Sequence, residues 1–118
     1  MKRILSLVAV FAVAAATMFA VVAYAGSKQA TVTTVKVTIK NFKFTLSKRS
    51  APHGKVKFVV TNKDSTAHDF KIAGKKTPML KPGKSATITA TIKKGKNAYL
   101  CTVSGHAGLG MKGSFTGK

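Results

Sequence analysis

Beyond residue 25 the apolar side chains recur at every second position, in short runs broken by glycine, proline and asparagine clusters. This is the pattern of strands with one face on a core and the other in water. Val35, Val37 and Ile39 alternate with Lys36, Thr38 and Lys40. Val56, Phe58 and Val60 share one parity, as do Ile88, Ala90 and Ile92. Between the first two runs, Phe42, Phe44 and Leu46 fall on the opposite parity, which predicts a bulge or bend near Lys40-Asn41. Ser47 to Gly54, Asn62 to Ser65, Gly74 to Pro78 and Pro82-Gly83 read as breaks and turns. His68, Phe70 and Ile72 share a parity, and strands are expected at Ala98 to Val103 and Gly113 to Thr116. About seven short strands with no convincing helix after residue 25 specify an all-β sandwich or barrel.

The N-terminus follows other rules. Met1-Lys2-Arg3 is a short basic start, Ile4 to Val22 is apolar, and Ala23-Tyr24-Ala25 offers small residues where a signal peptidase reads. Residues 1–25 are therefore read as a signal peptide cleaved before Gly26. The apolar run is also nearly long enough to span a bilayer, so an uncleaved anchor is the alternative. Either way the domain is exported, to the periplasm or the extracellular space, and is membrane-tethered if the segment stays. Gly26 to Thr34 is small and polar and reads as a short tether, leaving 35–118 as the folded domain.

Charge narrows the choice of partners. The chain of 118 residues carries 21 Lys+Arg against 2 acidic residues, a formal net charge of +19, yet 45% of it is hydrophobic. It is a folded basic domain and not a disordered tail. Acidic proteins or an anionic membrane surface are the expected partners of its lysine-rich face. Nucleic acid is not expected: the basic strands lack interleaved aromatics, and an export signal argues against it.

Chemistry concentrates in Tyr99 to Met111, which holds the only cysteine, Cys101, then His106 and Met111, with four residues in each gap. An unpaired cysteine in an exported protein invites oxidation, so it is either buried and inert or bound to a metal. Thiolate, imidazole and thioether on one loop suit a soft transition metal. With a second imidazole they form the trigonal copper set with a weak axial Met. His68 is the candidate, since it shares the parity of two core residues; a hydrogen-bonded core histidine is the alternative. His53 lies in a turn and reads as an exposed loop residue, and Met79 as packing.

Taken together, Gly54-Lys55-Val56-Lys57-Phe58, Asn62 ahead of His68, Lys81-Pro82-Gly83-Lys84 and Tyr99-Leu100-Cys101-Thr102 resemble the cupredoxin family of small blue-copper proteins. The Cys-x4-His-x4-Met spacing is most similar to the auracyanin-like members. The resemblance covers about Asn41 to Lys118 and implies a Greek-key β-sandwich with one copper ion per chain. His68, on a strand, would join Cys101 and His106 in a plane, with Met111 as the long axial ligand. Asp69, where the family often has Asn, would pair with Thr102 to join the two ligand segments. Its carboxylate would stabilise Cu(II) and lower the potential.

The implied function is one-electron transfer by a monomer cycling between Cu(I) and Cu(II), with no enzymatic activity. Gly105, Ala107, Gly108, Leu109 and Gly110 would form a small, mostly apolar collar through which a partner approaches His106, although glycines also serve simply to shape loops. Copper delivery or storage is the alternative within the fold, and polyanion binding the alternative outside it. A multicopper enzyme would need histidines that this chain lacks, and a binuclear copper site a second cysteine. A Cys101–His106 nucleophile is conceivable but leaves His68 and Met111 without a role.

Overall fold

A computed structural model describes residues 31–118; the expected signal peptide and most of the tether lie outside the described residues. The alternating runs form two sheets. The first comprises β1 (Thr33–Lys40), β2 (Lys43–Leu46), β4 (Gly54–Asn62) and β7 (Ser85–Ile92) in the order β2-β1-β4-β7. The second comprises β3 (Ser50–Ala51), β5 (Lys71–Ile72), β6 (Lys75–Lys76), β8 (Gly95–Leu100) and β9 (Lys112–Gly117) in the order β3-β9-β8-β5-β6. β1 and β4 run parallel, as do β3 and β9; the other pairs are antiparallel.

The apolar parity supplies the core. Val35, Val37 and Ile39 of β1, Val56, Phe58 and Val60 of β4, and Ala90 and Ile92 of β7 are buried, while Lys36, Lys55, Lys57, Thr89 and Thr91 face outward. Facing them are Phe70, Ile72 and Phe115. Phe58 meets Phe70 and Phe115 across the two layers, with ring centroids 5.5 and 5.4 Å apart. The contact with Phe115 is edge-on and that with Phe70 tilted, and together they interlock the two inner faces.

Among the described residues nine strands replace the expected seven or so. The extra ones are the two-residue β3 and β6, inside segments read as turns, where backbone pairing leaves no periodic signature. β1 also starts at Thr33, within the stretch read as tether.

The expected bulge near Lys40-Asn41 is instead a tight hairpin. Lys40 pairs with Lys43 across a two-residue turn, with Asn41 and Phe42 at φ 53° and 57°. Chain reversal explains the parity change: Ile39 pairs with Phe44 and Val37 with Leu46, so all four share the inner face. Turns with two positive φ angles match the twist of a hairpin, and Asn-Gly is their favoured sequence. Asn41 fits; Phe42 stands where glycine is preferred, at about 1–2 kcal/mol.

Candidate metal centre

The ends of β1, β4 and β8 and the starts of β5 and β9 converge, and every residue singled out for ligation lies there. His68 is not within a strand, as expected, but in an isolated bridge ahead of β5. Its N–H donates to Leu80 O (3.1 Å) and its carbonyl accepts from Leu80 N (2.7 Å). Asn62, buried at the end of β4, shapes the loop leading to it. Its Nδ2 donates to the carbonyls of Thr66 and Leu80, both at 2.8 Å, and its Oδ1 accepts from Asp64 N at 2.8 Å. A buried amide satisfied in this way is a rigid anchor.

Cys101 follows β8 directly, and its N–H donates to Met111 O at 3.1 Å. His106 O accepts from the N–H groups of Leu109 (2.9 Å) and Met111 (3.2 Å), around one turn of 3-10 helix at Ala107–Leu109. Gly110, at φ 107°, ends that turn, a conformation that favours glycine. The loop is thus folded back so that residues well apart in sequence share one point.

His68, Cys101 and His106 present ligand atoms that all lie within 4.8 Å of one another. His68 Nδ1 is 3.0 Å from His106 Nδ1, and Cys101 Sγ is 4.0 and 3.6 Å from the two. A metal with bonds of about 2.0 Å to nitrogen and about 2.3 Å to sulfur in a trigonal plane needs edges of about 3.5–3.7 Å. The triangle fits a small ion with little adjustment. Met111 is fully buried beside it in sequence, its backbone bonded to both Cys101 and His106. Burial pushes the Cys101 thiol up from its ordinary range; a bound metal would impose the thiolate.

Around the triangle the chain places its only two acidic residues. Asp69, fully buried, accepts from Thr102 N at 2.6 Å through Oδ1 and from the Thr102 hydroxyl through Oδ2. It therefore ties the residue after His68 to the residue after Cys101, the expected pairing. Half-exposed Lys76 approaches Asp69 Oδ2 at 3.8 Å.

Asp64, in sequence only part of the Asn62–Ser65 turn, meets His68 directly. Its Oδ2 accepts from His68 Nε2 at 2.8 Å and from Phe42 N at 3.0 Å, and Oδ1 accepts from Ser65 N at 2.9 Å. The Phe42 amide, chiefly, with His68 and Ser65 adding to it against the opposing effect of burial, holds its carboxyl down at about 2. The ring of Phe42 stands edge-on to both His68 and His106, at centroid distances of 5.1 and 5.0 Å. The available hint was compositional: in a chain with 2 acidic residues, both flank His68 within five positions.

The remaining candidates sort clearly. His53 is exposed and remote, its Nδ1 2.6 Å from Lys118 O. Met79 is not packing, as expected, but 51% exposed. Of the collar, Gly105, Gly108, Leu109 and Gly110 are exposed and Ala107 is half-buried beside half-buried His106.

The fold is shared with solved auracyanin and azurin structures. A dithionite-reduced auracyanin from Roseiflexus castenholzii superposes with a TM-score of 0.67 at 23% identity, covering 75% of this chain and 99% of that one. Auracyanin B gives 0.66 at 22% identity, covering 78% and 93%. An azurin, Az-iso2 of Methylomonas sp. strain J, gives 0.59 at 15%, covering 73% and 98%. None of the curated proteins compared with the sequence matches it. The model of the cupredoxin-like domain matches residues 7–113. The two-sheet fold, the converging histidines and cysteine, and this match across most of the sequence agree: the chain belongs to the cupredoxin-like family.

Proposed function

We propose that this protein is an exported, mononuclear blue-copper electron carrier, with His68, Cys101 and His106 as the trigonal ligands and Met111 as the axial one. The observation that carries the reading is the triangle of two imidazole nitrogens and one sulfur with edges of 3.0, 3.6 and 4.0 Å. Copper bound there supplies a one-electron couple whose two states tolerate the same mixed sulfur and nitrogen set. The chain's own contribution is rigidity: His68 is bridged to Leu80, Cys101 to Met111, and Asp69 joins the two segments. Ligands held this way move little when the charge changes.

Half-buried His106 is the route for the electron, framed by Gly105, Ala107, Gly108, Leu109 and Gly110, with Leu109 64% exposed. An apolar rim lets a partner approach the imidazole without stripping water from charges. The partner is an acidic redox protein or an anionic membrane surface, met through the lysine-rich face. Both acidic side chains of the sequence are taken up at the site, so the outer surface offers lysines without competing carboxylates. Association should slow as salt rises. The signal-like residues 1–25 support export, and the carrier works as a monomer with no substrate chemistry of its own.

Copper titration of the protein from Gly26 onward, read by visible absorption and electron spin resonance, tests the assignment. An intense thiolate-to-copper band at one copper per chain, absent in Cys101→Ser, is the expected result. Bound copper with weak colour would favour delivery or storage instead. No binding at all would overturn the ligand set.

A further inference from the structure

We propose that Asp64 is a positioning residue for the copper site: one carboxylate oxygen fixes the ring of His68 and, at the same time, holds the Asn41-Phe42 turn over both histidines. The inference rests on the copper reading above and adds a residue to it. It starts from an economy of charge. The chain has 2 acidic residues, and Asp64 is the one whose side chain reaches a ligand ring directly.

An ionised carboxylate can only accept hydrogen bonds. At 2.8 Å from Asp64 Oδ2, His68 Nε2 therefore carries the ring proton, and Nδ1 presents its lone pair towards Cys101 and His106. The carboxylate thus selects the tautomer that can bind a metal through Nδ1, and it makes that nitrogen more basic. Nothing else bonded to the ring would do so, since Nδ1 faces only the other two ligands.

The same oxygen accepts from Phe42 N at 3.0 Å. Phe42 is at φ 57°, a conformation that bulky side chains avoid, in a turn where glycine would be free of strain. A bulky residue kept there against local preference points to a use for its side chain. That use is the ring's edge-on contact with His68 and His106, at 5.1 and 5.0 Å. It covers the two imidazoles from the side of the first sheet. Asp64 joins the covering turn and the ligand ring at one atom.

Two substitutions separate charge from geometry. Asp64→Asn keeps an acceptor oxygen for His68 and Phe42, removes the negative charge, and gives up only the acceptor of the exposed Ser65 N–H. Asp64→Ala removes both. In Asp64→Asn the blue band and spin-resonance spectrum should stay near those of the parent. The preference for Cu(II) over Cu(I) should fall by about tenfold, a rise in potential of about 59 mV for one electron. In Asp64→Ala copper affinity should fall about 10- to 100-fold.

A copper-free readout accompanies these. In 15N-histidine-labelled protein the His68 Nε2 proton should exchange slowly and appear downfield in the parent and in Asp64→Asn, and be lost in Asp64→Ala. If Asp64→Ala does not fold, the parent proton signal and the Asp64→Asn potential still decide the matter. A blue parent whose Asp64→Asn potential is unchanged, or whose Nε2 proton exchanges freely, would overturn the role of Asp64 alone. A parent that forms no blue site would overturn the copper assignment, and this role with it.

Discussion

The two sheets of this protein do different work. The first, β2-β1-β4-β7, contains strands of eight and nine residues whose inward faces are mainly Val, Ile, Phe and Ala. Three strands of the second, β3, β5 and β6, are only two residues long. Yet His68, Cys101, His106 and Met111 all sit in segments flanking β5, β8 and β9 of that second sheet. Long regular strands satisfy their backbone by pairing and leave the ends of the shorter ones free to turn, bridge and present side chains. The first sheet does reach the candidate metal centre, but from outside: Phe42 from the β1–β2 turn, and Asn62 and Asp64 from the end of β4. One sheet supplies the proposed ligands and the other holds them.

This division can be broken or sharpened by substitution. Phe58→Ala, in the middle of β4 and in contact with Phe70 and Phe115, should lower stability by about 3–5 kcal/mol. Denaturant unfolding would read the loss, and the copper spectrum of the folded fraction should not change. A shifted spectrum would mean that the scaffold and the site are not separable. Asn62→Ala lies on the boundary and should affect both. Thr66 O and Asp64 N lose their Asn62 partner, while Leu80 O keeps the N–H of His68; each buried group left unpaired costs about 1–3 kcal/mol, and copper affinity should fall as the His68 loop loosens. Loss of stability with affinity intact would place Asn62 wholly in the scaffold.

Asp69→Asn should act on the site alone. Asn can still accept from Thr102 N, so the fold should persist while the potential rises by tens of millivolts, on a scale where about 59 mV is tenfold. Voltammetry reads this directly, and no rise would remove the electrostatic role of Asp69. The smallest effect belongs to Lys76→Ala, whose ammonium is half-exposed at 3.8 Å from Asp69. Ion pairs of that kind contribute about 0–1 kcal/mol. Unfolding should barely register the change, and the potential should drift slightly downward as one nearby positive charge is lost.

Much of this was legible in the residues themselves. Alternation placed Val35, Val37, Ile39, Val56, Phe58 and Val60 on an inner face because a strand has a period of two, and the structure buries all six. The spacing of Cys101, His106 and Met111 marked the loop because few chemistries need those three atoms together. Parity put His68 inward, and the pairing of Asp69 with Thr102 followed from the family resemblance.

What escaped depends on contacts between distant segments. β3 and β6 are too short to show a period and exist only because β9 and β5 lie beside them. A change of parity at Phe42 has two meanings, an inserted residue or a reversal, and only the pairing of Ile39 with Phe44 tells them apart. Asp64 looked like any polar turn residue until Phe42, 22 positions earlier, and His68, four later, were brought to the same oxygen. Local period and composition thus determined the class of fold and the ligand types. Tertiary packing decided which carboxylate meets which imidazole, because that choice is made by atoms that approach one another only after both sheets have closed.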